Sequence, residues 1–139
     1  MRLYLDASVL VPLFTNDLFR QRAFDLVRNT SQDVVISDFG RAEFASAVSR
    51  KFRELLFDDV QASEIFAKFD AWAEISAETE RMAPSDISAA EALVRRLPLK
   101  LRAPDAIHIA ICQRLGNQLA TFDARLAEAA EALDMVTVS

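Results

Sequence analysis

Short apolar runs alternate with longer segments of helical period along this chain, and the alternation predicts an α/β fold. Strands are predicted at Arg2–Asp6, Val34–Ile36, Thr79–Met82, Gln118–Phe122 and Met135–Val138. Short apolar strands with helices between them are typical of a parallel sheet that helices cover on both faces. The strands are too few for an eight-stranded barrel. In an open sheet of this kind, sites form beyond the carboxyl ends of the strands.

Two helices are predicted from a favourable N-cap residue followed by apolar residues at helical spacing. Ser37 begins a helix with the apolar positions Phe39, Ala42, Ala45, Val48 and Phe52. Ser85 begins another, which carries Ile87, Leu93, Val94 and Leu97. The sequence thus predicts which side of each helix faces the sheet.

Four further helices complete the predicted pattern. One follows Asp6, and one spans Asp58 to Ile75 with an apolar side of Val60, Ile65, Phe66, Phe69 and Trp72. A third begins at Pro104, ends before Gly116, and is apolar nearly all round, which predicts that it is buried. An alanine-rich helix then spans Asp123 to Leu133.

Composition limits the chemistry. The chain has 139 residues and a formal charge of −5, and we expect one domain spanning residues 1–139. Its two glycines exclude a glycine-rich phosphate loop, and its single histidine excludes a multi-histidine zinc site. No apolar run reaches the roughly 20 residues of a membrane span, and the first residues do not resemble a signal peptide. We therefore expect a cytoplasmic protein with the lone Cys112 in its core.

Four acidic residues stand where the predicted fold places functional sites. Asp6 closes the first strand, Asp123 follows the fourth, Asp105 lies in the first turn of the buried helix, and Glu43 lies in the helix after the second strand. Converging carboxylates repel each other and call for a cation, and Mg²⁺ prefers oxygen ligands. Three of these acids also have a purely structural explanation when each is considered alone. Asp123 could be a helix N-cap, Asp105 could interact favourably with the dipole of its helix, and Glu43 could be an exposed helix residue without a function.

At these residues the chain resembles the PIN-domain family, and within it the VapC-type ribonuclease toxins. Four blocks carry the resemblance in the family's order, and together they cover nearly the whole chain: Tyr4–Val11, Ser37–Glu43, Leu101–Ala110 and Leu119–Leu126. The resemblance implies a three-layer α/β sandwich whose central parallel sheet has the order 3-2-1-4-5. It also implies a homodimer, an RNA substrate, a VapB-type antitoxin whose tail occupies the active-site groove, and no membrane partner.

The resemblance further implies a divalent-metal-dependent endoribonuclease that uses Mg²⁺, with Mn²⁺ as a substitute. Asp6 and Asp105 would be the principal metal ligands and catalytic residues. Glu43 and Asp123 would complete the acidic pocket, partly through waters around the ion. Ser8 and Thr121 would support the site through hydroxyl hydrogen bonds.

Several alternatives stay open at this point. A PIN fold without turnover could act only by binding RNA or protein, and a phosphoacceptor receiver domain has a similar sandwich but adjacent acids and a late lysine that this chain lacks. His108 could be a general base, although a packed histidine is the simpler interpretation. RNA could contact Arg50, Lys51 and Arg53, or the better-placed cluster at Arg95, Arg96, Lys100 and Arg102. The apolar residues at 14–24 and 55–72 could belong to the core or to partner surfaces.

Overall fold

A computed structural model describes all 139 residues, Met1–Ser139. The five strands are β1 (Leu3–Leu5), β2 (Val34–Ser37), β3 (Glu78–Glu80), β4 (Gln118–Ala120) and β5 (Thr137–Val138). The helices are α1 (Ala7–Phe14), α2 (Arg20–Asn29), α3 (Asp38–Arg53), α4 (Asp59–Ser76), α5 (Pro84–Val94), α6 (Ala103–Leu115) and α7 (Ala124–Ala132). All strand pairs are parallel, and the order across the sheet is β3-β2-β1-β4-β5. The expected strand order is confirmed.

The central strand divides its side chains between two hydrophobic cores. Tyr4 faces a core built with α5, α6 and α7, whereas Leu3 and Leu5 face a core built with α1 to α4. This division follows from the two-residue period of a strand, which points successive side chains to opposite faces. The sheet is therefore covered on both faces, and the predicted three-layer sandwich is confirmed.

The buried side of α3 differs from the predicted one. Gly40, Phe44 and Val48 are buried at four-residue spacing, whereas Ala42 and Ala45 are exposed. Phe44 stacks on Phe69 of α4 with ring centroids 4.2 Å apart. Burying a large aromatic ring removes far more apolar surface from water than burying two alanines does, and this difference sets the rotation of the helix.

The helix predicted from Ser85 also begins and ends elsewhere. It starts at Pro84 with Ala83 as its N-cap residue, and Asp86 supplies the capping bond by accepting the Ala83 amide at 2.7 Å. Asp86 is buried and also accepts two bonds from the Arg114 guanidinium, at 2.8 and 2.9 Å. The helix ends at Val94, and Leu97 lies beyond it in a 3₁₀ turn, 79% exposed.

Helix α2 was not predicted, although Ala23 is buried and Leu26 and Val27 pack partly buried against the core at helical spacing. Beside it, Leu18 is fully exposed, and Leu55 and Leu56 are exposed after α3. In α4, Val60 is 62% exposed and not part of the apolar side as predicted. The predicted strands around Thr79–Met82, Gln118–Phe122 and Met135–Val138 are each shorter or displaced by one or two residues.

The two outer strands of the sheet are short. Edge strand β3 carries Glu78 and Glu80, and Arg2 at the start of the central strand pairs with both, at 2.5 and 3.0 Å. The other edge strand, β5, has two residues. No helix of the chain is both long and apolar enough to cross a membrane.

Candidate active site

Asp6 lies immediately after the central strand and is buried. Its Oδ1 accepts the Ser8 hydroxyl at 2.5 Å, and its Oδ2 accepts the Thr121 hydroxyl at 2.5 Å. As the N-cap of α1 it also accepts the Val9 amide at 3.3 Å. Burial is the main cause that raises the pKa of Asp6 above its ordinary value, while the nearby His108 ring and these hydrogen bonds act in the opposite direction. The carboxylate is thus fixed on all sides by its own chain.

Thr121 reaches Asp6 because β1 and β4 are neighbours in the sheet and both end at the same edge. Leu5 is paired with Ala120, so the residues that follow the two strands lie side by side. The two hydroxyl oxygens accept backbone amides in turn: Ser8 Oγ accepts Phe122 N at 2.8 Å, and Thr121 Oγ1 accepts Asp123 N at 3.0 Å. These bonds connect the start of α1 to the loop before α7.

A chain of hydrogen bonds that runs through the core holds the Glu43 side chain in place. Glu43 Oε1 is hydrogen-bonded to His108 Nε2. The other ring nitrogen, His108 Nδ1, lies 2.7 Å from the Tyr4 hydroxyl, which lies 2.8 Å from Ser37 Oγ. Ser37 Oγ accepts the Gly40 amide at 2.9 Å as the N-cap of α3. His108 is therefore a packed, doubly bonded residue that connects α6 to the acidic edge of the sheet.

Asp105 and Asp123 complete the acidic cluster. Asp123 is the N-cap of α7, where Oδ1 accepts the amides of Arg125 and Leu126 at 2.9 and 3.2 Å. Asp105 makes no ion pair or side-chain hydrogen bond. Its pKa is raised first by partial burial and then by the negative charges of Asp123 and Glu43, while Arg102 and His108 oppose the rise. The three acids are thus close enough to repel one another.

A groove of about 520 Å³ opens beside this cluster. Its floor is the first half of α1, one wall is a face of α3 from Glu43 to Lys51, and the other wall contains Phe19, Phe122 and Asp123. Glu43, Asp123 and Ser8 therefore face the same open space. The groove joins the acids to residues that can contact a larger molecule.

The side chains as they stand do not form a finished metal site. No three acidic, histidine or cysteine side chains are grouped closely enough to hold one ion. Asp6 is hydrogen-bonded to hydroxyl groups, Glu43 to the imidazole of His108, and Asp123 to backbone amides. The donor chemistry fits a hard divalent cation, because the acids offer only oxygen and the unpartnered Asp105 repels its acidic neighbours. Ligation would therefore require some of these side chains to move.

The family of the chain follows from comparison with known sequences. The sequence profile of the PIN domain matches residues 3–132. The chain therefore belongs to the PIN domain family, and the predicted resemblance is confirmed. A comparison with curated proteins finds no match to the sequence.

Solved structures share the fold at low sequence identity. The toxin VapC20 of Mycobacterium tuberculosis, described as cleaving the Sarcin-Ricin loop, is 19% identical with a TM-score of 0.74, over 91% of this chain and 94% of the other. FitAcB from Neisseria gonorrhoeae is 15% identical with a TM-score of 0.75, over 99% and 96%. A toxin–antitoxin complex from Klebsiella pneumoniae is 18% identical with a TM-score of 0.69, over 100% and 97%.

The structure places Asp6, Thr121 and Asp123 just after the paired strands β1 and β4, and adds residues that the sequence did not indicate. Ser8 and Thr121 contact Asp6 directly, and Glu43, Asp105 and Asp123 lie within electrostatic reach of one another. The sequence did not indicate that Tyr4 and Ser37 belong to the hydrogen-bond chain behind Glu43. Tyr4 looks like an ordinary strand residue and Ser37 like an ordinary helix cap.

Proposed function

We propose that this chain is a divalent-metal-dependent endoribonuclease and the toxin of a type II toxin–antitoxin pair. The observation that carries the proposal is the position of Asp6 and Asp123 after two neighbouring parallel strands, with Asp105 close enough to Asp123 and Glu43 for their charges to raise its pKa. Membership of the PIN domain family and the fold shared with VapC-type and FitAB-type proteins support it. The description of VapC20 as a Sarcin-Ricin loop cleaving toxin favours RNA as the substrate.

We assign Asp6, Glu43, Asp105 and Asp123 as the catalytic acids and the ligands of Mg²⁺, with Mn²⁺ as a substitute. A bound divalent ion would supply an activated water and neutralise charge that develops on the phosphodiester. Ser8 and Thr121 hold both oxygens of Asp6 in one orientation, and His108 does the same for Glu43. Asp105 makes no hydrogen bond or ion pair of its own, and a cation would offset the negative charges of Asp123 and Glu43 that raise its pKa.

We also propose a VapB-type antitoxin and a second copy of the chain as protein partners in the cytoplasm. The Klebsiella pneumoniae structure, which shares the fold of this chain, is described as a toxin–antitoxin complex. The chain exposes Leu18, Leu55 and Leu56, which a partner could cover. An antitoxin that occupied the groove would block the acids from RNA.

Cleavage of a structured RNA tests the enzymatic part of the proposal. The wild-type chain is expected to cut in Mn²⁺ or Mg²⁺ and to stop in EDTA. Asp6→Asn, which keeps the shape of the side chain and removes its charge, is expected to lose at least about 100-fold in rate, the scale of losing one electrostatic contribution to a transition state. Asp70→Asn on the exposed side of α4 is the matched control and should cut normally. Full activity of wild type in EDTA, or of Asp6→Asn, would refute the mechanism.

A binding module without turnover is the second candidate. One observation favours it: three of the four acids already have hydrogen-bond partners, and no three are grouped around a single point. Such a module would bind RNA or protein equally well with Asp105→Asn and would show no metal-dependent cleavage. Titration of Mn²⁺ by calorimetry separates the two candidates, since only the nuclease requires binding that Asp105→Asn abolishes.

A further inference from the structure

A second cavity, of about 470 Å³, lies at the end of the sheet away from the acids. Val34 and Glu78, which line it, are the first residues of β2 and β3. Asp6 and Asp123, by contrast, follow the last residues of β1 and β4. Because all strand pairs are parallel, first residues and last residues lie at opposite ends of the sheet. The cavity is therefore separate from the candidate active site.

Two side chains of the loop before β2 offer this cavity hydrogen-bond acceptors that have no donor. Gln32 Oε1 is buried and unpartnered, and the Asp33 carboxylate makes no side-chain hydrogen bond or ion pair. The loop is fixed in place, because the Gln32 amide donates to Thr30 Oγ1 at 3.1 Å and the Leu3 amide donates to Asp33 O at 2.9 Å. A buried polar atom without a partner is rare in folded proteins, and a ligand that donates to it would account for it.

The end of helix α4 adds partial negative charge to the same cavity. Ile75 and Ser76, the last residues of the helix, line the cavity, and the last turn contains no basic residue. The last carbonyl groups of a helix lack partners within the helix and form the negative end of its dipole. No lysine or arginine lines the cavity, and Glu78 is already paired with Arg2. The cavity therefore favours a cation that its own lining does not supply.

Trp72 gives the cavity an aromatic wall. Its ring packs against Phe14 and Phe69, with centroids 5.4 and 6.2 Å apart, so its position is fixed by the core. The face of an indole ring attracts cations more strongly than that of any other side chain. An aromatic wall beside unpaired oxygen acceptors favours an organic cation over a bare metal ion.

We propose that this cavity binds an alkylguanidinium group, with its plane against the Trp72 ring and its N–H groups donating to Gln32 Oε1, the Asp33 carboxylate and the last carbonyls of α4. A guanidinium is planar and permanently charged, and its several N–H donors lie in one plane. It can therefore stack on the indole ring and satisfy several acceptors at once. The site goes beyond the proposed function, since it uses none of the residues proposed for cleavage.

The fluorescence of Trp72 tests binding directly, because the chain has a single tryptophan. Two probes are titrated into the wild-type chain: agmatine, a free alkylguanidinium, and N-acetylarginine amide, which presents the group as a peptide does. A saturable change is expected that sodium chloride at equal ionic strength does not give. Tighter binding of agmatine assigns a small molecule as the source of the group, and tighter binding of N-acetylarginine amide assigns an arginine side chain.

Asp33→Asn tests the charge contact, because it keeps the shape of the side chain and removes its charge. It is expected to weaken binding about tenfold, near the low end of the range for a hydrogen bond to a charged group. Glu74→Gln is the matched control. It removes the same charge from the last turn of α4, but Glu74 does not line the cavity. Its affinity for both probes should stay close to that of wild type.

Gln32→Met tests the unpartnered acceptor, because methionine has a similar volume and no amide oxygen. Binding should weaken. The free energy of unfolding in urea should not fall, since Gln32 Oε1 has no partner to lose in the free chain. A substitution that merely damaged the fold would lower both quantities together.

Three results would overturn the proposal. The first is the absence of a saturable change with both guanidinium probes. The second is tetramethylammonium binding as tightly as they do, because this ion has the charge without any N–H donor. The third is an equal loss of affinity in Asp33→Asn and Glu74→Gln, which would mean that only the overall charge of the surface matters. None of these results depends on whether the chain cleaves RNA.

Discussion

Replacing Tyr4 by phenylalanine removes one oxygen from the buried chain of hydrogen bonds and leaves the ring in its core. Ser37 Oγ already accepts the Gly40 amide, so the Ser37 hydroxyl donates to Tyr4, and Tyr4 donates to His108 Nδ1. His108 Nε2 then carries the proton donated to Glu43. The opposite direction would leave the Ser37 proton without an acceptor. We therefore expect this order of donors, with the imidazole proton of His108 on Nε2.

The cost of Tyr4→Phe in stability comes from the two groups that lose their hydrogen bond to the Tyr4 hydroxyl. Without the Tyr4 oxygen, the Ser37 hydroxyl has no acceptor and His108 Nδ1 has no donor, and both groups are buried. An unsatisfied buried polar group costs about 1–3 kcal/mol. Two such groups, less the desolvation that the absent phenol hydroxyl no longer requires, give about 2–4 kcal/mol. Tyr4→Phe should thus lower the free energy of unfolding by a large fraction of a typical total.

Urea denaturation measures this cost, and Thr15→Val is the matched control. Thr15 is also buried and donates its hydroxyl to Val11 O at 2.7 Å, but that carbonyl also accepts the Thr15 amide, so no partner is left unsatisfied. Thr15→Val should cost less than about 1 kcal/mol. Because the chain has a single histidine, a ¹⁵N spectrum of the imidazole reads His108 alone and should show the proton on Nε2.

Two results would contradict the reasoning. One is a Tyr4→Phe cost no larger than that of Thr15→Val, which would mean that the network contributes no more than a single bond. The other is an imidazole proton on Nδ1 in the wild-type chain, which would reverse the order of donors. A double-mutant cycle with Ser37→Ala adds a further check, since coupled partners give a combined cost smaller than the sum.

Two further predictions concern groups outside the site. Burial alone would raise the pKa of Asp86, but its bonds from Arg114 and the Ala83 amide lower it below the ordinary value. The ion pair therefore stabilises the fold fully above the unfolded pKa of about 3.9 and is lost as pH falls through the lower folded value. Asp86→Asn should lower the free energy of unfolding, measured by urea denaturation at neutral pH, by about 2 kcal/mol. If this loss of stability were equally large at acid pH, the assignment of the ion pair as its cause would be refuted. Burial raises the pKa of Cys112 to about 12. A thiol reagent at mildly alkaline pH should therefore label Cys112 only when urea unfolds the chain. Rapid labelling of the native protein would contradict this prediction and show that the core opens.

The architecture was predictable from sequence where burial is nearly complete. Helix α6 is apolar on most sides, begins with a proline in its first turn and ends at Gly116, which has a φ of 67°. The sequence therefore indicated both its limits and its burial. Helix α2 and the rotation of α3 were not predictable in the same way, because they depend on which neighbouring ring, such as Phe69, each helix packs against.

The acidic site was predictable only in part. The acids themselves could be predicted because Asp6 and Asp123 follow strands, Asp105 lies in the first turn of a helix, and Glu43 closes one of the four blocks that resemble the family. The family resemblance named Ser8 and Thr121, which contact Asp6. The connection from Glu43 through His108 to Tyr4 could not be predicted, because Tyr4 and His108 are 104 residues apart and their contact exists only after the sheet forms. Asp86 was missed for the same reason, since its partner Arg114 lies on a different helix.

The short outer strands restrict how copies of this protein can associate. Unpaired backbone groups along a long, flat edge allow another chain to add a strand, which is a route to fibrils. Here one edge strand has two residues, and the other has three, of which two are glutamates whose charges would repel the same strand of a second copy. Strand addition at either edge of the sheet is therefore disfavoured, and we expect copies of this protein to associate through the outer faces of its helices.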